Sequence, residues 1–156
     1  MKKYKLGFTQ GTFDTFHIGH LNLIKNAKNQ CEKLIVGVNT DILVHKYKNK
    51  IPLINEQDRL LLVKELRSVD DAILCDTLDK IEICKQLKFN AIFIGDDWKG
   101  SERWLKTEKE LLPMGTEVVY LKHTEGISSS MVRESMKNHD SFNNVEDVDN
   151  LNKYNK

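Results

Sequence analysis

Short apolar runs alternate with amphipathic stretches along most of the chain, and this alternation restricts its fold more than any other feature. Apolar runs with the length of strands occur at residues 5–9, 33–39, 72–74, 91–94 and 117–121. Apolar residues at helical spacing predict helices at residues 18–30, 56–69, 78–87, 102–112 and 131–137. Buried strands separated by helices predict an α/β fold: a doubly wound parallel sheet in three layers, joined by right-handed crossovers.

Four polar segments do not fit a helix or a strand, and each of them follows a predicted strand. They are residues 10–20, 41–55, 95–101 and 122–130. Ligands of open parallel sheets bind beyond the carboxyl ends of the strands. We therefore expect the functional site to be built from these four segments.

The size of the chain fits one globular domain. Of its 156 residues, we assign 1–137 to that domain. Residues 138–156 consist mainly of Asn, Asp and Lys, and we predict a disordered polar tail there.

Charge and hydropathy exclude several classes of partner. The 24 Lys and Arg residues balance 23 Asp and Glu, so no global basic field favours nucleic acid or an anionic membrane. No apolar run approaches the roughly 20 residues that span a bilayer. The N-terminus lacks the apolar core of a signal peptide, and we expect a soluble, cytoplasmic protein without membrane insertion. The cysteines, Cys31, Cys75 and Cys84, lack the spacing of a zinc site, and we expect them to be reduced.

Two histidines stand where the first strand meets the first helix. If the helix begins near His17, then His17 and His20 lie at i and i+3 on one face of its first turn. Free backbone N–H groups at such a helix start attract phosphate oxygens, and Gly19 would let a ligand approach the backbone. A pair of surface histidines or a metal site are the alternatives.

The other polar segments also permit more than one interpretation. Lys48, between Lys46 and Lys50, belongs either to a solvated loop or to a phosphate site. Asp97 follows a strand, where aspartates often cap turns. Ser128 precedes the last helix and is suited either to N-capping or to binding phosphate.

Five stretches resemble, in order and spacing, the motifs of the cytidylyltransferase family within the HxGH nucleotidyltransferase superfamily. The resemblance spans residues 5–136, and the stretches are residues 11–20, 33–41 with Lys48, 55–59 with 67–70, 95–98, and 124–129. The last two are similar to the branch that contains the glycerol-3-phosphate and choline-phosphate cytidylyltransferases. The resemblance implies a Rossmann-like, HUP-like topology.

The resemblance also implies a reaction. CTP and a phosphorylated alcohol would give a CDP-alcohol and pyrophosphate, without a covalent enzyme intermediate. We favour glycerol 3-phosphate as the acceptor, and CDP-glycerol would serve teichoic-acid or capsule synthesis. Choline phosphate, ethanolamine phosphate or another phospho-polyol remain open as acceptors. Two other functions also remain open: an adenylyltransferase that uses ATP on a sugar phosphate, and a non-enzymatic nucleotide-binding module. The family further implies a homodimer that pairs through the first helix.

Roles for individual residues follow from the same resemblance. The catalytic residues would be His17, His20 and Lys48. Mg²⁺ or a similar divalent cation would be the cofactor, with Asp14 as a candidate ligand. The nucleotide would contact Gly11, Thr12, Phe13, Asp14, His17, Gly19, His20, His123, Thr124, Gly126, Ile127, Ser128 and Ser129. The acceptor would contact Lys48, Arg59, Arg67, Asp70, Asp97 and Trp98.

Two positions depart from the family pattern. His123 stands where the related enzymes have an arginine, and histidine is only partly charged near neutral pH. The tryptophan that the glycerol-phosphate enzyme carries near the position of Asp76 or Thr77 is missing. The identity of the acceptor is therefore open at this stage.

Overall fold

The computed structural model of the chain describes residues 2–138 and forms five strands and six helices there. The strands are β1 (Tyr4–Gly11), β2 (Cys31–Asn39), β3 (Asp71–Cys75), β4 (Ala91–Gly95) and β5 (Glu117–Leu121). The helices are α1 (Ile18–Gln30), α2 (Asp41–Lys48), α3 (Glu56–Lys64), α4 (Lys80–Leu87), α5 (Glu102–Leu111) and α6 (Ser129–Asn138), with short 3₁₀ turns at Asp96–Trp98 and Leu112–Met114. The predicted tail, apart from Asn138, lies outside the described residues.

The five strands form one parallel sheet in the order β3-β2-β1-β4-β5. Strand β1 is central, and the order reverses beside it. The register aligns Gly11 with Val38 and Gly95 with Leu121, so the carboxyl ends of these strands share one edge. The predicted doubly wound sheet is confirmed, and its edge gathers the polar segments as expected.

Helices cover both faces of the sheet and give it three layers. On one face, Ile24 and Ala27 of α1 pack with strand residues such as Phe93. On the other face, Ile83 of α4 and Trp104 of α5 pack against Phe8. Burial of these apolar side chains stabilises each layer by roughly 1.5–3 kcal/mol per large side chain.

Helix α2 is a correction to the sequence analysis, which left residues 41–55 irregular. Thr40 caps it by accepting a hydrogen bond from the Leu43 N–H over 3.2 Å. Leu43 and Val44 are buried, and the left-handed Asn49 (φ 55°) ends the helix. Of the lysines that suggested a solvated loop, Lys46 and Lys48 occupy its last turn, where cations are favourable at a helix C-terminus, and Lys50 follows the helix.

Helix α3 ends five residues earlier than the predicted residue 69. Leu66 and Val69 continue the apolar spacing, but the Val69 N–H bonds to the Leu66 carbonyl in a turn before β3. The spacing of apolar residues does not distinguish a helix from such successive turns.

None of the helices within residues 2–138 is both long enough and apolar enough to cross a membrane. The three cysteines are buried and not bonded to one another.

Candidate active site

A cavity of about 340 Å³ opens at the carboxyl edge of the sheet. We call it the central cavity. Its walls come from the loop after β1, the 3₁₀ turn after β4 and the segment before α6, and they include His17, His20, Asp97, Trp98 and His123. Its size suits a small-molecule ligand.

His17 and His20 close the first turn of α1 through their ring nitrogens. His17 is the N-cap, and its Nδ1 accepts from the Gly19 N–H at 3.0 Å. The Nδ1 of His20 accepts in return from the His17 N–H at 3.2 Å. Because both Nδ1 atoms act as acceptors, the hydrogen bonds assign the ring protons to Nε2.

Both Nε2 atoms face Ser129 at the start of α6. Ser129 Oγ lies 3.5 Å from Nε2 of His17 and 3.4 Å from Nε2 of His20. The same hydroxyl donates to the Asp14 carbonyl at 3.1 Å, which leaves its lone pairs to the two imidazoles. Two N–H donors therefore converge on one point at the cavity wall.

The surroundings keep both imidazoles neutral. The pKa of His20 is lowered to about 4, first by burial and then by the charge of His17, with an opposing effect from Asp14. Phe13 and Phe16 supply part of this burial, with ring centroids 5.5 and 5.2 Å from that of His20. Burial, followed by the charge of His123, lowers the pKa of His17. Near pH 7 the pair therefore offers neutral Nε2–H donors.

Gly19 has a different use from the predicted one. A Cβ at this position would lie 2.8 Å from Cε1 of His17 and 3.6 Å from Ile127. The space that we expected a ligand to use is taken by the His17 ring. The glycine therefore serves the packing of the histidine pair.

The loop between β1 and α1 stores backbone strain. Phe13 (φ 55°) and Thr15 (φ 48°) are left-handed, which is costly for side chains with a Cβ. The Phe13 ring lies over Gly11, where a Cβ would be 3.0 Å from it. Thr12 remains at the rim, with its hydroxyl 3.0 Å from the Tyr47 hydroxyl.

Asp14 does not act as an open metal ligand. It is buried, and its two carboxylate oxygens accept from the N–H groups of Leu53 and Ile54 at 2.9 and 3.0 Å. Within residues 2–138, no group of three or more His, Cys, Asp or Glu side chains could hold a metal ion. The chain's own residues therefore do not form a magnesium site by themselves, and Asp14 instead ties the segment after α2 to the histidine loop.

A second cavity, of about 480 Å³, adjoins the first beside His20 and Ser129. We call it the basic cavity, because four cations line it: Lys48, Lys50, Arg133 and Lys137. Lys48 lines this cavity, whereas Lys46 is not among the lining residues. The sequence analysis missed Arg133, although it stands four residues after Ser129 and hence on the same face of a helix.

Arg59 lies in the interior, which corrects its assignment to the acceptor. Its side chain has no exposed surface, and its guanidinium forms an ion pair of 2.6 Å with Asp41. It also donates to three backbone carbonyls: those of Thr12, Asn39 and Ile54. The side chain therefore holds the loops of the site together and cannot touch a substrate.

Arg67 and Asp70 also lie outside the lining of the central and basic cavities. They precede β3, at the opposite edge of the sheet from the carboxyl ends. Asp70 accepts from Lys28 at 2.6 Å and from the Leu34 N–H at 2.8 Å. It anchors β3 to α1 and β2.

The segment before α6 reaches the central cavity. Ser128 caps α6 by accepting from the Met131 N–H at 3.1 Å, and it lines the cavity as well. Asn22 of α1 donates to the Thr124 hydroxyl at 3.2 Å, and Asp96 accepts from the His123 N–H at 3.2 Å. Gly126 has a φ of 82°, which permits the turn in this segment.

A third cavity, of about 400 Å³, adjoins the central one behind Trp98. We call it the tryptophan cavity, because Trp98 and Trp104 both line it. Sequence reasoning missed several of its polar residues: Gln10, Asn39, Tyr47, Lys80 and Arg103. Polar residues at the ends of apolar strands, such as Gln10 and Asn39, were the available signal.

The fold and the paired histidines at the first strand–helix junction define a Rossmann-like nucleotidyltransferase of the HUP type. A model of the cytidylyltransferase-like family matches residues 8–135. The chain belongs to this family.

Relatives with different names match at similar levels. The chain is 34% identical over 129 residues to the glycerol-3-phosphate cytidylyltransferase of Bacillus spizizenii, covering 82% of this chain and 94% of that protein. It is 35% identical to the FAD synthase of Korarchaeum cryptofilum, covering 81% and 88%. It is 40% identical over 95 residues to the bifunctional protein HldE of Caulobacter vibrioides, covering 60% of this chain but only 20% of that longer protein.

A solved structure supports the fold. The lipopolysaccharide core biosynthesis protein from Thermoplasma volcanium superimposes with a TM-score of 0.68 at 30% identity, covering 78% of this chain and 99% of that one.

Proposed function

We propose that the protein is a cytidylyltransferase that transfers CMP from CTP to a phosphorylated alcohol, with glycerol 3-phosphate as the favoured acceptor. The observation that carries this proposal is the convergence of the His17 and His20 Nε2 atoms on Ser129 Oγ, at 3.5 and 3.4 Å, beside a cavity with cations. The relative in Bacillus spizizenii, matched over 94% of its length, supports the choice of reaction.

The reaction forms one bond and breaks one. An oxygen of the acceptor phosphate attacks the α-phosphorus of CTP, and the bond from that phosphorus to the bridging oxygen of the β-phosphate breaks. Pyrophosphate leaves with the electron pair. The two imidazoles donate their Nε2–H groups to the phosphoryl oxygens on which charge develops. Because the donors are neutral and already oriented, they need little reorganisation during the step.

We assign the remaining negative charge of the phosphates to the cations of the basic cavity and to the N-terminus of α6. Lys48 is assigned to the phosphates that meet at the reaction centre, and Arg133 to the β- and γ-phosphates. Ser128 and Ser129, at the N-terminus of α6, lie where N–H groups and hydroxyls can hold phosphate oxygens. The backbone N–H groups of Thr12 and Phe13 complete the set.

A divalent cation such as Mg²⁺ remains part of the proposal, with phosphate oxygens of the nucleotide as its ligands, because Asp14 is already bonded to amides. Bound there, it would neutralise phosphate charge.

We assign the base to the backbone around Gly126 and Ile127, with Thr124 and His123 on the same wall. Asp97 and Trp98 line the same cavity, where the ribose or the acceptor would pass. An adenylyltransferase is the second candidate, because the FAD synthase of Korarchaeum cryptofilum is as similar in sequence as the cytidylyltransferase.

A pyrophosphate-release assay separates these candidates. CTP and ATP are each supplied with glycerol 3-phosphate, choline phosphate, ethanolamine phosphate, a sugar phosphate and FMN. We expect turnover with CTP and glycerol 3-phosphate. Turnover with ATP and FMN or a sugar phosphate, and none with CTP, would replace the proposal by the second candidate. Binding of both nucleotides without turnover would indicate a non-enzymatic module.

We also propose a homodimer that pairs through α1 and the histidine segment. Ile18, the first residue of α1, is about half exposed and offers apolar surface there. Light scattering at working concentration is expected to give twice the monomer mass of 18.1 kDa. A monomer mass would contradict this pairing.

A further inference from the structure

Lys48 has a central part in the proposed reaction, but little in its own contacts fixes its direction. It is exposed, lies in the last turn of α2 and lines both the basic and the tryptophan cavities. It forms no ion pair with a carboxylate among residues 2–138. A lysine side chain is a charge on a long flexible stem, so an unpaired one samples many directions. A neighbouring side chain is therefore needed to hold the ammonium group near the phosphates.

Tyr47, the preceding residue of α2, contacts Lys48 through its ring. The Lys48 Nζ lies 5.5 Å from the centre of this ring, within the range of a cation–π interaction. Tyr47 follows the buried Leu43 by four residues and the buried Val44 by three, so it shares the face of α2 that packs on the protein. The ring is therefore anchored, and the ammonium group beside it loses part of its freedom.

The hydroxyl of Tyr47 is held at two points. Asn39 Nδ2 donates to it at 3.1 Å, and the Thr12 hydroxyl lies 3.0 Å away. The amide of Asn39 is itself oriented, because its Oδ1 accepts from Gln10 Nε2 at 2.8 Å. Since Asn39 donates to the phenolic oxygen, the phenolic hydrogen is available to the Thr12 hydroxyl.

Thr12 is the point at which this contact reaches the reaction centre. It lines the central, basic and tryptophan cavities. Its carbonyl is fixed by Arg59 Nη1 at 2.7 Å, and the next residue, Phe13, has the left-handed φ of 55°. Through Tyr47, the last turn of α2 is therefore linked to the loop that leads into His17.

We propose that Tyr47 is a positioning residue for Lys48. Its hydroxyl fixes the last turn of α2 against the ends of β1 and β2, and its ring holds the ammonium group beside the phosphates that react. Tyr47 itself touches neither the nucleotide nor the acceptor. This inference rests on the proposed function, because that function gives Lys48 its task.

Two substitutions of Tyr47 separate the hydroxyl from the ring. Tyr47→Phe keeps the ring and removes both hydroxyl contacts, and kcat should fall by about 3- to 10-fold, the range for one ordinary hydrogen bond. Tyr47→Leu also removes the ring, and the loss should reach about 10- to 50-fold. The KM for CTP should change little in either variant, because the contribution of Lys48 is expected mainly in the transition state.

A double-mutant cycle shows whether Tyr47 acts through Lys48. Lys48→Met alone should lower kcat by about 10- to 100-fold. Adding Tyr47→Leu to Lys48→Met should cause no further loss, since the group to be positioned is already missing. A purely structural tyrosine, or one that binds substrate itself, would lower kcat by the same factor in both backgrounds, and that result would overturn the inference.

The matched control is Tyr4→Phe. The Tyr4 hydroxyl donates to Glu117, and Lys3 Nζ lies 5.3 Å from its ring centre, but this pair stands at the start of β1, away from the cavities. The same loss of a hydroxyl beside a lysine should leave kcat unchanged there. A fall in kcat equal to that of Tyr47→Phe would mean that the effect reports general destabilisation and would contradict the proposal.

A second measurement does not depend on turnover. Trace acetylation of the ligand-free chain, read by mass spectrometry, gives the reactivity of Lys48 relative to Lys46 in the same turn. Because the ring covers one side of the Lys48 ammonium group, Tyr47→Leu should raise this ratio by about 2- to 5-fold. An unchanged ratio would show that the ring does not hold Lys48 and would overturn the inference. A raised ratio in a protein that turns over no nucleotide with any acceptor would overturn the proposed function and leave the contact between Tyr47 and Lys48 established.

Discussion

Nη1 of Arg59 donates to the carbonyl oxygen of Thr12 over 2.7 Å and thereby ties helix α3 to the loop that leads into the histidine pair of the candidate active site. The same nitrogen donates to the Asn39 carbonyl at 2.7 Å, at the end of β2. Two strand ends and a helix thus share one buried cation. The precision of the site depends on this interior contact as well as on the residues that line the cavities.

Replacing Arg59 should destabilise the protein. Arg59→Met leaves the Asp41 carboxylate and three carbonyls without their donor, and breaking such a buried pair costs about 3–5 kcal/mol. Urea unfolding should show the loss, whereas Arg67→Ala, an exposed control, should not. A stable Arg59→Met protein with a raised acceptor KM would instead restore the direct role in acceptor binding.

Removing either imidazole should affect turnover far more than folding. His17→Ala or His20→Ala eliminates one donor to the charge that develops on phosphate, which typically costs about a hundredfold in rate. Steady-state pyrophosphate release measures the effect, and the exposed His45→Ala serves as the control. Near-normal turnover in either variant would contradict the assignment.

The lowered pKa of His20 predicts an acid-dependent loss of stability. Because the folded state holds this group neutral down to about pH 4, the unfolded state binds the proton first as pH falls from 6.5. The contribution of neutral His20 to the free energy of unfolding is complete above pH 6.5 and declines towards pH 4. The free energy of unfolding should fall in this window by at most about 1.4 kcal/mol per pH unit.

Urea unfolding of the wild type and of His20→Gln at several pH values measures this contribution. The difference between their unfolding free energies should shrink through that window. A constant difference would mean that the pKa of His20 is the same in the folded and unfolded states and is not lowered by folding. Asp70, whose pKa is lowered from 3.8, loses its contribution at lower pH and is common to both proteins.

Removal of divalent cations should abolish turnover without affecting the folded protein. With EDTA in excess we expect no pyrophosphate release, and added Mg²⁺ should restore it. Because Asp14 is bonded to two amides, Mg²⁺ without nucleotide should leave the Tm unchanged. A rise in Tm with Mg²⁺ alone would reveal a cation site in the chain, and full activity in EDTA would refute the requirement.

His123 should limit the affinity for phosphate. Its side chain is exposed and lines the central cavity. Its backbone N–H donates a hydrogen bond to the Asp96 carboxylate at 3.2 Å. His123→Arg adds a permanent charge with bidentate donors, so the KM for CTP or for the acceptor should fall most at alkaline pH.

Lys122→Ala is the companion variant, because Lys122 lines the same wall. If His123→Arg leaves both KM values unchanged at every pH while Lys122→Ala raises them, the charge at this wall comes from Lys122.

The local pattern of apolar and polar residues was sufficient to predict the three layers of the fold. Helix α1 begins at the predicted residue 18, because the apolar spacing and a capping residue both act within one turn. The spacing of His17, Gly19 and His20 was likewise sufficient to place both imidazoles on one face of that turn. Helix α2 escaped detection because its two lysines, Lys46 and Lys48, suggested a solvated loop although the helix buries Leu43 and Val44.

Contacts between distant segments decided the rest. From the sequence we predicted that Asp14 binds a metal ion and that Arg59 contacts the acceptor. The fold brings Asp14 to amides 39 and 40 residues away and Arg59 to a carbonyl 47 residues away. Gln10 and Lys80 meet across 70 residues. Helix capping and strand alternation are properties of neighbouring residues and can be predicted from the sequence. The partner of a buried charge is decided only when distant strand ends come together and exclude water.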